Sequence, residues 1–448
     1  MDLMSYAMSK KYTNQKTFEE INTLPVNRNK FDSNIMLLQE FKDYQNNYIK
    51  IGSSIDTDIQ FNNHPTVALK SENGADSYVY YDMGSTVDMT GYDFFDLYIY
   101  VDNVSNSHTI QVDFMTGQDL SNRYSFYKIG QVLRMVSDNG WRFIRIPKRE
   151  FESLGGSPNW AQIRYFRVYS NGNAGTTFQA NLGKLEAGKL KKGAVSFYFD
   201  DSTIDQYENA FPIMEKYGFQ GTMAVITGNV GTEGYVTWSQ LRELHNAGWI
   251  LASHGYISKS LATLTEAEMR EELGKSQQML EDHGFYFGSK CLIAPQGSYS
   301  PAVDKIAKEY YACVRNYNYG SDDRVTPSME FPQSHPRYQK YISPYDTDSA
   351  ETMKGWIDNV IKNKGEFSFA FHIIKTPTPS DWQWSTTVED FEAVIAYARQ
   401  KVDAGVLDVV NWKDTMIQSQ EPKPFDDNGK QYVVSKKGKP TILTLPIS

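Results

Sequence analysis

Two cysteines in 448 residues, Cys291 and Cys313, are too few for a disulfide framework and form no Cys-x-x-Cys pair. Both lie in apolar stretches that read as strands, where a thiol is a small buried hydrophobe and says little about compartment. No apolar run approaches the length of a membrane span, and the opening MDLMSYAMSKKYTNQKTF has none long enough for the core of a signal peptide. The expectation is a chain without membrane insertion, made in a cytoplasm, that reaches an extracellular target by another route such as lysis. There is no basic run, and the formal net charge is −9. That balance argues against nucleic acid or an anionic membrane as principal partner, and a neutral or cationic polymer is better tolerated. No internal repeat is visible.

Hydrophobic residues make up 40% of the chain, enough for ordinary cores, and its length exceeds what one core serves. Aromatic content is 14%, with 30 Tyr, 24 Phe and 8 Trp, a surplus that suits β-rich structure and stacking on sugar faces alike. Residues 1–30 are polar and weakly patterned, an arm or attachment segment. From 31 to 188 the pattern is all strand: TVALKSE, SYVYYDM, FFDLYIYVD, HTIQVDFMT, WRFIRIP, IRYFRVYS and FQANLGKLE are separated by Asn, Gly, Asp and Ser clusters. Evenly spaced strands without helices predict a sandwich or jelly roll. The character changes at EAGKLKKG, Glu186 to Gly193. Residues 189–418 then alternate strands such as VSFYF, TMAVIT, WILAS, KCLIA, YACVR, EFSFAFH and LDVVNW with helical stretches. The longest helix opens with Thr265 and Glu268 at capping-box spacing. Such an alternation predicts a mostly parallel sheet or barrel with functional groups at the carboxyl ends of its strands. Residues 419–448 form a polar tail that could add a hairpin.

Three of those strand ends carry candidate groups. SFYFDDS places Asp200 and Asp201 directly after a buried strand. Two adjacent acids there are costly unless they bind a cation or hold different protonation roles, although a pair capping the next helix reads the same way. ILAS delivers His254 and EFSFAFH delivers His372 to the same edge. Each histidine alone reads more readily as a hydrogen-bonded structural residue than as a ligand; their conjunction at equivalent strand ends points to chemistry. His245 and His283, near predicted helix carboxyl ends where a histidine favours the dipole, are read as structural.

The order of these motifs resembles the polysaccharide deacetylases, carbohydrate esterase family 4. FYFDDS is similar to the family's strand followed by Asp-Asp. SHGYISKSLATLTEAEMREEL resembles its Ser-His-Thr-x-x-His motif with the capped helix behind it, LIAPQGSYS its Pro-x-Gly loop, and FSFAFHIIK the strand with its late histidine. TTVEDFEAVIAYARQKVDAGVLDVVNWKDTM resembles its last helix and strand. The resemblance spans about 190–418. It implies a distorted (β/α) barrel, with Asp200 as the catalytic base and Asp201 and His254 as ligands to a divalent metal, zinc in most members. It further implies the backbone N–H near Gln296 as oxyanion donor and His372 as the acid that protonates the departing amine.

Two departures accompany it. Ser258 stands where the family has its second metal histidine, and a neutral hydroxyl is a poor zinc ligand. The third motif lacks an arginine, since Ile293 and Ala294 precede Pro295; Arg337 in SHPRYQKYI is the candidate to orient the base, and His335 beside it a replacement ligand. The first half, through TGYDFFDLYIYVDN and NGWRFIRIPKREFES followed by NWAQIRYFRVYS, resembles carbohydrate-binding jelly-roll modules. There Trp141 and Trp160 either stack on sugars or pack in the core. LMSYAMSKKYTNQ resembles the starts of phage tail or baseplate-associated proteins, which implies homotrimeric assembly, other tail proteins as partners and delivery on a virion. Together these resemblances imply metal-dependent removal of acetyl groups, N-acetyl of hexosamines first, from bacterial surface or cell-wall glycan. The rival is a glycan- or receptor-binding tail protein on a deacetylase fold impaired at Ser258.

Overall fold

Alternating apolar and polar residues build the first half of the molecule. The computed structural model describes residues 32–42, 48–118, 120–134, 140–318, 339–378, 382–415, 432–434 and 440–442. One six-stranded antiparallel sheet holds β1 (Asp32–Glu40), β3 (Ser53–Phe61), β4 (His64–Glu72), β6 (Phe94–Asp102), β9 (Gly140–Pro147) and β12 (Thr177–Leu190). Its order is β3-β4-β12-β6-β9, with β1 also on β12. The second holds β2 (Tyr48–Ile51), β5 (Ser77–Val87), β7 (Ser107–Met115), β8 (Asn122–Phe126), β10 (Glu152–Gly155) and β11 (Ile163–Gly172), in the order β10-β8-β7-β11-β5-β2. Both sheets feed one core. Val67, Leu97, Ile99 and Leu182 come from the first, and Val79, Val112, Phe114 and Val168 from the second, all without solvent exposure.

Seven strands were predicted in this strand-rich region and twelve are present. The additional ones are short, as in β10, or polar along most of their length, as in β3 with SSIDTDIQF. The two tryptophans pack. Trp160 stacks on Tyr124 at 4.0 Å against the core, and Trp141 lies 4.9 Å from Phe61 and 5.8 Å from Tyr100. Trp160 therefore packs against the core, whereas Trp141 lies half-buried outside it among half-buried rings.

β12 ends at Leu190, and two residues later the chain enters a parallel sheet. Its strands are β13 (Gly193–Phe199), β14 (Thr222–Val225), β15 (Ile250–Ser253), β16 (Cys291–Ile293), β17 (Cys313–Asn318), β18 (Gln339–Tyr341), β19 (Glu366–Phe371) and β22 (Leu407–Val409). The order is β18-β17-β16-β15-β14-β13-β19, with β22 against the start of β13. The sheet curls until its ends meet, because Ile342, one residue beyond β18, bridges Phe369 of β19. Strands buried on both sides read as continuous apolar runs, which is why VSFYF and EFSFAF were legible. Two short strands, β20 (Ile373–Ile374) and β21 (Ser385–Thr386), pair beyond β19, and β23 (Tyr432–Val434) pairs with β24 (Pro440–Ile442) in the tail.

Helices α1 (Phe211–Lys216), α2 (Trp238–Asn246), α3 (Glu266–Asp282), α4 (Pro301–Ala307), α5 (Ala350–Asn363) and α6 (Val388–Asp403) flank the sheet. The capping box of α3 is formed as expected, Thr265 and Glu268 bonding reciprocally. Helical structure begins one turn before α1, with a π-helical turn, Gln206–Ala210, that runs directly into it. Such turns recur at functional sites, and this one puts Gln206 beneath the site. His245 closes the last turn of α2 and His283 follows α3, stacked on Trp238 at 3.6 Å. Burial, with Lys413 and Arg242 nearby, holds His245 below its ordinary pKa, so it carries less charge toward the helix dipole than its position suggested.

Candidate functional site

Five strand ends converge. β13 delivers Asp200 and Asp201, β15 His254, β16 the Pro295–Gly297 turn and β19 His372, while β17 contributes Arg315 from its third residue. Asp201, Ser202, Ser258 and Gln296 all take left-handed backbone, with φ of 76°, 56°, 58° and 57°. Non-glycine residues in that region persist only where their surroundings hold them, and four in the loops of one site mark it as a constrained constellation.

Asp200 is buried, with its backbone N–H bonded to the Phe371 carbonyl at 2.8 Å. Its Oδ2 accepts from Nη2 of buried Arg315 and faces His372 Nε2 at 3.8 Å, while Oδ1 has no hydrogen-bond partner among the described residues. Arg315 lies over the rings of Tyr341, at 4.1 Å, and Tyr198, at 4.8 Å. Those faces favour a cation and leave the carboxylate as its polar anchor. Gln206, fully buried, donates through Nε2 to the carbonyls of both Asp200 and His372, the latter at 2.6 Å, clasping the two strand ends.

His254 is buried and its Nδ1 lies 2.7 Å from the Ile293 carbonyl. A carbonyl only accepts, so Nδ1 carries a proton; Nε2 lies 3.4 Å from Asp201 Oδ1, where a protonated ring donates to the carboxylate and a neutral ring would offer its lone pair to a cation between them. Burial opposes a charged His254, but the Asp201 hydrogen bond, the charges of Asp200 and Asp201 and the Ile293 carbonyl outweigh it and raise its pKa. Burial likewise opposes ionised Asp201. The His254 hydrogen bond and charge, with His372 and Arg315, outweigh that and hold its carboxyl below the usual range. Behind His254, Ser253 Oγ bonds Ser276 Oγ at 2.7 Å and Tyr311 OH at 2.8 Å, which fixes the strand end.

Asp201 and His254 suit a divalent cation: two bonds of about 2.1 Å at the tetrahedral angle set donor atoms roughly 3.4 Å apart. The third donor is another matter. Among the described residues no group of three His, Cys, Asp or Glu side chains assembles. Ser258 occupies a turn held by buried Glu272, whose Oε1 accepts from the N–H groups of Ile257 at 2.8 Å and Lys259 at 3.4 Å. Ser298 ties this turn to the Gln296 turn by accepting from Ser260 Oγ and Ala262 N–H.

Of the predicted site residues, Asp200, Asp201, His254 and His372 are brought together, with the Ser258 and Gln296 turns beside them. Arg337 and His335 lie outside the described residues. The guanidinium on Asp200 belongs to Arg315, which the sequence analysis had read only as part of the YACVR strand; its spacing two residues beyond Cys313 on an inward-facing register was the available signal. Gln206 and Glu272 were also missed. Gln206 belongs to no motif and Glu272 lies in the helix behind the Ser-His motif; only the fold carries them to the site.

Residues 187–312 match the family model described as polysaccharide deacetylase. Among curated proteins, the YxkH protein of Bacillus subtilis (strain 168) is 27% identical over 178 residues, 40% of this chain and 60% of that protein. The poly-beta-1,6-N-acetyl-D-glucosamine N-deacetylase of Staphylococcus aureus (strain MSSA476) is 30% identical over 152 residues, 30% of this chain and 52% of that protein. The chain thus spans little more than half the length of these relatives. A solved Streptococcus pyogenes deacetylase, PplD in complex with acetate, aligns with a TM-score of 0.28 and 23% identity over 33% of this chain and 63% of that one.

Proposed function

We propose that the protein hydrolyses N-acetyl groups of hexosamine units in a bacterial surface or cell-wall polysaccharide. The observation that carries this reading is the arrangement at Asp200: one carboxylate oxygen is fixed by Arg315, the other, buried, has no hydrogen-bond partner among the described residues, and His372 stands opposite, beside the Asp201 and His254 pair. The S. aureus relative, whose name gives it a poly-β-1,6-N-acetylglucosamine substrate, supports the choice of sugar.

Asp200, through its open oxygen, takes a proton from the attacking water, and the water oxygen adds to the acetamide carbon. The turn at Gln296 offers backbone N–H groups to the developing oxyanion. His372 gives a proton to the nitrogen as the C–N bond breaks, releasing acetate and a free amine. A divalent ion held by Asp201 and His254, zinc by donor type, would act as Lewis acid at that carbonyl, with water completing its shell. Delivery on a phage tail, with homotrimer formation, the strand-rich region binding glycan and action outside the cell, belongs to the same proposal; its support is the likeness of the opening residues and of the strand pattern.

A second reading, a glycan-binding protein with an impaired centre, is favoured by one feature, Ser258 in place of a third donor. Metal analysis of the purified protein, with acetate release from N-acetylated oligosaccharides in the presence and absence of zinc or cobalt, separates the two. Release that Asp200→Asn abolishes supports the enzyme. Retained glycan binding with neither metal nor release supports the second.

A further inference from the structure

Of the eight tryptophans, Trp382 alone is exposed, at 38%, while Trp384 is half-buried. Both stand in the segment leading into β21, which pairs with β20 just beyond His372. The Trp384 ring lies 6.1 Å from the His372 ring, and Trp382 lies 5.3 Å further out, tilted by 67°. Two aromatic rings in edge-to-face contact therefore continue from the candidate acid, and the second is exposed to solvent.

The carbonyls of Trp382, Gln383 and Trp384 each accept a hydrogen bond. Ser385 Oγ donates to the Trp382 carbonyl at 3.0 Å, the Asp346 N–H to the Gln383 carbonyl at 2.8 Å, and the Ile373 N–H to the Trp384 carbonyl at 3.3 Å. Pairing of β20 with β21 fixes the next two residues, and Tyr345 meets the edge of Trp384 at 6.3 Å. A large ring left in water on an anchored backbone differs from Trp141 and Trp160, which are packed among other rings. It is an amphipathic surface with its ordering cost already met before a ligand arrives. A pyranose presents C–H faces that match such rings, and a glycan bound with one unit at Asp200 and His372 must run its neighbouring units over the adjoining surface.

We propose that Trp384 and Trp382 form a stacking ladder for the hexosamine units that flank the reacting one, so that the protein selects polymer over short oligosaccharide. This rests on the deacetylase reading for the identity of the glycan, and the test separates the two. With the full chain, acetate release and binding are measured on β-1,6-linked N-acetylglucosamine dimer and tetramer, for the wild type, Trp382→Ala and Trp384→Phe. Binding is followed by calorimetry and folding by circular dichroism. The expected result is a wild-type preference for the tetramer. Trp382→Ala should raise the tetramer KM and Kd roughly tenfold, a loss in the range of one aromatic stacking contact, with kcat and the dimer unchanged. Trp384→Phe, which keeps a flat face, should retain most of the preference. Acetate release by a wild type that shows no length preference, with a silent Trp382→Ala, overturns the ladder and leaves the deacetylase standing. Tetramer binding that depends on Trp382 without any acetate release keeps the ladder and removes the deacetylase. Absence of both binding and release overturns both.

Discussion

At the residue scale the site turns on which groups are compensated. Arg315 and Asp200 are a buried ion pair in which each is the other's principal charged partner. Removing one member of such a pair leaves a buried charge, at a cost of about 3–5 kcal/mol. Arg315→Met is therefore expected to lower the denaturant midpoint and to abolish acetate release together. Asp200→Asn, close to isosteric, should reduce release by about 10²–10⁴-fold, the range of a general base, with the larger part of stability kept. Ser258→His restores a nitrogen donor at a position whose φ of 58° a histidine adopts more readily than most side chains. Zinc affinity measured by calorimetry should rise by at least about tenfold, the lower end of what even supporting contacts contribute. An unchanged affinity would mean that this turn does not face Asp201 and His254. Those three residues show where legibility ended. Asp200, Asp201 and His254 could be read because each follows an apolar strand as a lone polar group. Arg315 could not, because a strand sequence shows its alternation without saying which side meets the site.

At the element scale the same contrast recurs. α3 was legible to its first residue, since Thr265 and Glu268 satisfy backbone donors that every helix start leaves open. β3 was not, because its polar residues are held by contacts distant in sequence. Asp56 of β3 accepts from the N–H groups of Asp58 at 2.9 Å and Ile59 at 3.0 Å, and from the side chains of Gln179 and Asn181, both at 2.9 Å, on β12. Burial opposes its charge, but these bonds, Asn181 first, outweigh it and hold the carboxyl below its ordinary value. A carboxyl with a folded pKa below its unfolded value of about 3.9 stabilises in full above that value, and the contribution is lost as pH falls through the folded pKa. Asp56→Ala should therefore lower the thermal midpoint of the strand-rich region at neutral pH by about 2–4 °C. The difference from wild type should close as the buffer is taken below about pH 4. A gap that stays constant across that range would assign the effect to packing.

At the scale of the whole molecule, the two halves are joined by more than the chain. Phe94 from the first sheet packs with Leu190, Ala194 of β13 and Val410 beyond β22, all at most 4% exposed. Asp93 accepts from the Leu190 N–H at 2.9 Å and from Lys364, just past α5, at 3.2 Å. Close approach here needs glycine at both ends of the crossing. A Cβ on Gly188 would lie 2.3 Å from the Phe94 ring, and one on Gly193 2.6 Å from the Val360 carbonyl. A joint of this kind fixes the strand-rich region relative to the site, so any glycan it binds would be presented in a set direction instead of through a loose tether. It also couples the two halves in unfolding. Phe94→Ala, which deletes a buried ring at a typical cost of about 3–5 kcal/mol, should split the calorimetric profile into two transitions. Phe94 also lies 3.6 Å over Arg145, which binds Asp32 and Asp96, so part of its loss falls inside the first half. Asp93→Ala removes the Lys364 contact across the joint, together with the Leu190 hydrogen bond and the charge facing Lys148 in the first half, and should produce the same splitting with a smaller shift of the lower transition. Acetate release from a short oligosaccharide should survive both changes, because neither residue approaches Asp200. A single transition in both variants, shifted as one, would mean that the halves are coupled elsewhere and that this joint is not what orients them.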